Sequence, residues 1–122
     1  MVCKTIFLCI MANPKHILLV EDDISLSTVL ADYLQSKEYQ VQTAPNGQEA
    51  WELLNKRHFD ILLTNISMPK MNGWQLIKTV RDSGQLMPVI IISAKTNRED
   101  IIRGYHLGCD DYVTKPFSMD IL

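Results

Sequence analysis

Short apolar runs alternate along the chain with stretches of helical periodicity. His16–Val20 (HILLV) reads as a buried strand that ends at Glu21-Asp22-Asp23. Leu26, Val29, Leu30, Tyr33 and Leu34 then recur at i, i+3, i+4, i+7 and i+8, the apolar stripe of one helix. Alternation at Tyr39, Val41 and Thr43 predicts a second strand over 39–44, closed by the turn signal Pro45-Asn46-Gly47. Ala50, Leu53 and Leu54 give a second helix its inward face. Residues 59–64 (FDILLT) predict a third strand, too continuously apolar for a wet face, as in a parallel sheet covered on both sides. Pro69 and Asn72-Gly73 make 66–73 a loop. Trp74, Ile77 and Val80 mark a third helix, and Trp74 reads as core. Residues 89–92, entered through Pro88, form the most hydrophobic strand and are expected at the sheet's centre. Ile101, Ile102 and Tyr105 mark a fourth helix, stopped by Gly108, whose free backbone suits a left-handed cap. Residues 112–114 give a short fifth strand.

Strands in strict alternation with helices predict an α/β fold: a flavodoxin-like, doubly wound, five-stranded parallel sheet in the order 2-1-3-4-5 with right-handed crossovers. Ser118 reads as the N-cap of a fifth helix, which the sequence, stopping at Leu122, leaves truncated. Ile17 and Leu19 of strand 1, or Ile61 and Leu63 of strand 3, are then expected to lie partly bare, a face that recruits a second copy or the apolar N-terminal segment. The domain is expected over 14–122, with 1–13 a tail or a mis-assigned start. Residues 1–12 (MVCKTIFLCIMA) carry one charge, Lys4, and three readings stand side by side: a secretory signal, a start placed too early with Met11 the true one, or a flexible tail. The early start is preferred, because Met11-Ala12-Asn13-Pro14-Lys15 leads directly into the first strand.

Composition narrows the function classes. A chain of 122 residues has the size of one domain, and 47% hydrophobic with 21% charged residues argues against disorder. No apolar run reaches the ~18–20 residues that span a bilayer, so no membrane insertion is expected. Twelve Lys+Arg against fourteen Asp+Glu leave a net charge of −2, and the longest basic run is Lys56-Arg57-His58, which speaks against direct nucleic-acid binding. Cys3, Cys9 and Cys109 are an odd count without C-x-x-C spacing, as for reduced thiols in a cytoplasmic protein. His16, His58 and His106 share no ligand spacing.

A parallel sheet brings the carboxyl ends of its strands to one rim, and the polar residues stand there: Glu21-Asp22-Asp23, Thr64-Asn65, Ser93 and Thr114-Lys115. Acids with other oxygen ligands suit Mg²⁺, a hard cation. A lysine and a hydroxyl suit phosphoryl oxygens. Each residue also has a plainer reading. Asp22 or Asp23 can cap the first helix, Lys115 can be a surface lysine, Ser93 a hydroxyl at a helix approach, and Tyr112 core packing. Convergence of four strand ends favours the binding reading.

ILLVEDD, then MPKMNG after strand 3, IIISAK at strand 4 and DDYVTKPF at strand 5 together resemble the response-regulator receiver domain of two-component signal transduction, over roughly 15–122. The resemblance implies Asp22 as a direct Mg²⁺ ligand, Glu21 as its water-mediated neighbour and the Ser67 carbonyl as a further ligand. It implies that Ser93 binds a phosphoryl oxygen and reports it by rotating, that Lys115 neutralises phosphoryl charge beside a cis Lys115-Pro116 bond, and that Tyr112 is an aromatic switch. By the same resemblance the chain is a cytoplasmic phosphorelay component and not an enzyme. Its partner is a sensor histidine kinase or phosphotransfer protein, and a homodimer is open. DDYVTKPFS is most similar to receivers joined to a winged-helix DNA-binding domain, so transcription regulation and nucleic-acid contact belong to a downstream domain, by analogy alone.

One departure matters most. The receiver pattern ends strand 3 with an aspartate, the phosphoacceptor, where this chain has Asn65. A carboxylate attacks a phosphohistidine and becomes an acyl phosphate; an amide has no anionic form near neutral pH and is a poor nucleophile. The resemblance leaves Asn65 a metal ligand through its carbonyl, in a site short of one negative charge, so both phosphotransfer and Mg²⁺ affinity are expected to fall. Three readings of Asn65 stay open: an engineered change, a natural phosphorylation-independent pseudo-receiver acting as an interaction module, or a sequence error. Asn72 is a milder departure, since Asn before Gly serves a turn. A Mg²⁺-dependent phosphatase is the enzyme rival, but it needs an aspartate nucleophile with a second Asp two residues on, which Asp22-Asp23 does not supply. A flavodoxin-like cofactor binder is a second rival, disfavoured because Glu21-Asp22-Asp23 repels phosphate.

Overall fold

The computed structural model describes residues 15–115. Its strands are β1 (His16–Val20), β2 (Gln40–Ala44), β3 (Ile61–Thr64), β4 (Val89–Ser93) and β5 (Asp111–Thr114). Its helices are α1 (Ile24–Ser36), α2 (Gly47–Lys56), α3 (Gly73–Asp82) and α4 (Arg98–Leu107). All neighbouring strands pair in parallel, in the order β2-β1-β3-β4-β5, as the alternation predicts. The centre is β3 rather than β4. β4 lies one place off it and owes its apolar sequence to burial of all five residues.

Every helix opens on an Asx N-cap. Asp23 Oδ1 accepts from the Leu26 N–H at 3.2 Å, Asn46 Oδ1 from Glu49 at 2.9 Å, Asn72 Oδ1 from Gln75 at 2.9 Å and Asn97 Oδ1 from Asp100 at 2.9 Å. The Gln75 side chain returns a bond to the Asn72 N–H, closing a capping box. The two turn signals of the sequence, Asn46-Gly47 and Asn72-Gly73, are therefore helix starts. Gly108 ends α4 at φ 108°, in the left-handed region, as its position predicts.

Two apolar clusters sandwich the sheet. One joins Leu18, Leu62 and Ile91 to Ala50 and Leu54 of α2 and to Leu76, Ile77 and Val80 of α3. The other joins Ile17, Leu19, Ile61 and Leu63 to Leu30 and Leu34 of α1. Those four strand residues, expected partly bare, are at most 3% exposed. Predicted stripes differ at their edges. Val29 is half exposed while Ser27 turns inward on α1, and Ile102 and Tyr105 of α4 face outward. β3 begins two residues late, because the Asp60 carboxylate turns back to accept from the His16 N–H at 2.9 Å and Phe59 enters the core. Residues 1–13, Ser118, the fifth helix and the Lys115-Pro116 bond lie outside the described residues. Among the described residues no helix is long and apolar enough to cross a membrane. Cys109 is a buried free thiol, pushed up to about 12 by burial and by the charges of Asp110 and Asp111.

At the amino end of the sheet, Arg81 ties three segments together. Its guanidinium donates to the carbonyls of Gly108, Gln85 and Met87 at 2.7–2.9, 3.1 and 2.8 Å, and to Asp110 Oδ2 at 3.1 Å. A side chain only 19% exposed that satisfies three carbonyls is costly to truncate, whereas the exposed Lys78–Asp82 pair is not. Arg81→Ala is expected to lower unfolding free energy by about 2–4 kcal/mol and Lys78→Ala by about 0.5 kcal/mol or less, measured by urea denaturation.

Candidate functional site

Parallel register aligns the ends of the strands: Val20 stands beside Ala44 and Thr64, and Ser93 beside Thr114. The last residue of each strand, or the one after it, therefore stands on one rim: Glu21, Asn65, Ser93 and Lys115 lie there. The Glu21 N–H continues the ladder to Ala44 O at 3.0 Å, and the Asn65 N–H to Val20 O at 2.9 Å. Strand pairing thus fixes both backbones before any side-chain chemistry begins.

Glu21 is the centre of the site. It is 4% exposed, and its carboxylate is fully engaged. Lys115 Nζ reaches back across the ends of β3 and β4 to Glu21 Oε1 at 2.7 Å. Asn65 Nδ2 donates to Oε2 at 2.7 Å, and the Asp22 N–H donates to the same oxygen at 3.1 Å. The second hydrogen of Asn65 Nδ2 faces Asp22 Oδ1 and the Ser67 carbonyl, both at 3.5 Å, the long limit of a hydrogen bond. On its other side Asn65 Oδ1 accepts from the Ile66 N–H at 2.8 Å.

That network fixes the amide's orientation, which its shape alone does not reveal. Turned over, Nδ2 would face the Ile66 N–H, donor against donor, and Oδ1 would face Glu21 Oε2, acceptor against acceptor. The carbonyl that the resemblance assigns to a cation instead points at the backbone. Glu21, Asp22 and the Ser67 carbonyl are oxygen donors of the kind Mg²⁺ takes, but the group between them is itself a hydrogen-bond donor. Among the described residues no group of three His, Cys, Asp or Glu side chains is arranged for a metal ion; Glu21 and Asp22 are two, and position 65 withholds the third. As arranged, the donor set does not fit the cation.

Asp22 is exposed and free of capping duty, which falls to Asp23. Ser93, 2% exposed, accepts at Oγ from the Lys95 N–H at 3.0 Å. Tyr112, 8% exposed, lies inward, and its hydroxyl donates to the Lys95 carbonyl at 2.7 Å. Burial pushes the Tyr112 phenol up, with a contact to Ser93 acting the other way. Ser93 and Tyr112 thus grip both sides of one residue, Lys95. That arrangement, like the Ile66 N–H, is a backbone feature with no signature in the sequence. Gly73 carried a signal that could have been followed. Its N–H donates to Ile66 O at 2.8 Å, and a methyl group there would overlap the Asn65 carbonyl, so the loop under the site needs glycine. A surface hollow lined by His16, Val41, Arg57, His58 and Phe59 opens at the opposite end of the sheet, away from this rim.

A doubly wound parallel sheet with acids, a hydroxyl and a lysine at its carboxyl rim defines a receiver-like signalling fold. Residues 17–122 match the response regulator receiver domain family, and the chain belongs to it. It is 42% identical over 112 residues to the transcriptional regulatory protein RprY of Bacteroides fragilis, covering 92% of this chain and 48% of that protein. It is 36% identical over 107 residues to the cell cycle response regulator CtrA of Brucella ovis, covering 88% and 46%. The chain spans about half the length of the curated relatives it matches. Among solved structures, the receiver domain of Francisella response regulator 1452 superposes with a TM-score of 0.85 at 33% identity, covering 88% of each chain. Vibrio cholerae chemotaxis protein CheY4 gives 0.81 at 30% identity, covering 87% of this chain and 90% of that one.

The Lys115–Glu21 pair generates a prediction. Lys115→Met strips a nearly buried carboxylate of its cation and is expected to cost about 3 kcal/mol or more. Adding Glu21→Gln removes the charge that needed it, so the double variant is expected to be more stable than the sum of the two singles. Urea denaturation of the four proteins measures the coupling; strict additivity contradicts the pairing.

Proposed function

We propose that this receiver carries Asn65 at the phosphoacceptor position and does not take up a phosphoryl group in this form. The observation that supports it best is the Asn65 side chain itself, held between Glu21 and the Ile66 N–H. A phosphoacceptor must offer an anionic oxygen to phosphorus. The oxygen of Asn65 is neutral and engaged, and the amide nitrogen has no free lone pair to give. A Mg²⁺ site built on Glu21, Asp22, position 65 and Ser67 is weakened by the missing charge. Ser93 and Lys115 keep the places of a hydroxyl and an ammonium that steady phosphoryl oxygens, and Tyr112 that of the switch.

The domain in this reading runs over 14–122 and works in the cytoplasm. It engages a sensor histidine kinase or phosphotransfer protein and passes its state to a downstream DNA-binding domain, singly or as a homodimer. The relatives' names, transcriptional regulators among them, support that assignment. Signalling without phosphorylation is the alternative use of the same surface. Tyr112 supports it: its ring lies inward, the position the switch residue is taken to adopt on activation, and its hydroxyl donates to the Lys95 carbonyl.

Incubation with acetyl phosphate tests the proposal by intact mass. The wild-type chain is expected to stay unmodified. Asn65→Asp is expected to gain one phosphoryl group as an acyl phosphate, formed when the new carboxylate oxygen attacks phosphorus and acetate leaves. Stoichiometric labelling of the Asn65 protein, or acid-stable phosphate on Ser67 or Thr64, overturns it.

A further inference from the structure

We infer that the Asn65 amide nitrogen does more than withhold a charge: it plugs the acid site, satisfying as a hydrogen-bond donor the oxygens that would otherwise be free for a divalent cation. The inference rests on the reading of position 65 given above and deepens it.

Its basis is the number of acceptors each side of position 65 demands. The Ile66 N–H, on a residue 1% exposed, requires an acceptor on the inner side. A cation on the outer side would require a second acceptor. A carboxylate has two and can meet both demands. A carboxamide has one oxygen and one donor nitrogen on opposite sides of its carbon, so once the oxygen meets the Ile66 N–H the side facing the acids is nitrogen. With the oxygen committed inward, the nitrogen faces three acceptors: Glu21 Oε2 at 2.7 Å, Asp22 Oδ1 and the Ser67 carbonyl. Its partial positive charge suits them without ionic charge. Lys115 neutralises the remaining Glu21 oxygen at 2.7 Å, so the buried carboxylate has no unmet demand. A cation would have to displace a short bond to a buried carboxylate, then meet either an N–H in its own shell or an unsatisfied Ile66 N–H.

The consequence has a sign opposite to that of a weakened ligand. If Asn65 were a poor ligand, deleting it would loosen Mg²⁺ further. If it is a plug, deleting it opens the site. The test titrates Mg²⁺ into the wild type, Asn65→Ala and Asn65→Asp, following the amide resonances of Asp22, Ile66 and Ser67 and the Mg²⁺-dependent rise in melting temperature. Asn65→Ser is a second opening variant in case Asn65→Ala does not fold. The expected order of affinity is Asn65→Asp, then Asn65→Ala or Asn65→Ser, then wild type, with the alanine variant at least about tenfold tighter than wild type. Wild type binding as tightly as Asn65→Ala and Asn65→Ser, or more tightly, overturns the inference while leaving the receiver reading intact. Absence of Mg²⁺ binding by a folded Asn65→Asp that also takes up no phosphoryl group overturns the reading of position 65 as the phosphoacceptor position.

Discussion

A carboxylate buried at the end of β1 has to find donors inside the protein, since Glu21 is almost out of reach of water. Its chain neighbour and two distant strand ends supply them: the Asp22 N–H beside it, the Asn65 amide from the end of β3, and the Lys115 ammonium from the end of β5. The two distant groups arrive because parallel pairing ends those strands at one rim. At this rim the Glu21 and Asp22 carboxylates face one ammonium and one polarised amide rather than each other.

Much of this was legible in the sequence. Alternation of apolar runs with helical stripes specifies five parallel strands covered on both faces, and the flavodoxin-like order 2-1-3-4-5 is the doubly wound order that fits a chain of this size. The rim positions of Glu21, Asp22, Asn65, Ser93 and Lys115 were legible too, because each lies at the end of a strand, or within two residues of it, and those ends could be read. Other features were not. β4 looked central because its residues are the most apolar, yet hydropathy reports burial and not order, and every interior strand of a covered sheet is buried. The α4 face misled for a related reason: Ile102 and Tyr105 sit at helical spacing with Ile101, but the helix meets the sheet through Gly104, whose missing side chain makes room for the Tyr112 ring and leaves the larger neighbours outside. A periodicity search weights large apolar residues and passes over a glycine contact.

The direction of the Asn65 amide was the deepest omission. Residue type says that a carboxamide has one oxygen and one nitrogen; only the Ile66 N–H says which faces the acids. That backbone group has no letter in the sequence. An aspartate at 65 could serve the N–H and a cation together, whereas asparagine exchanges the cation for its own hydrogens. Asparagine and aspartate are nearly isosteric, and the surroundings of position 65 are closely packed: Gly73 lies against the Asn65 main-chain carbonyl, and Ser93 and Tyr112 hold Lys95 nearby.

The central claim is that Asn65 presents nitrogen, not oxygen, to the acid cluster. Side-chain amide NMR of ¹⁵N,¹³C-labelled protein reads this directly. The account predicts that the Asn65 Nδ2 protons exchange slowly with water and show a through-hydrogen-bond coupling to the Glu21 carboxylate carbon, with neither signal changed by millimolar Mg²⁺. Rapidly exchanging Nδ2 protons without that coupling, or their displacement when Mg²⁺ is added, would contradict it.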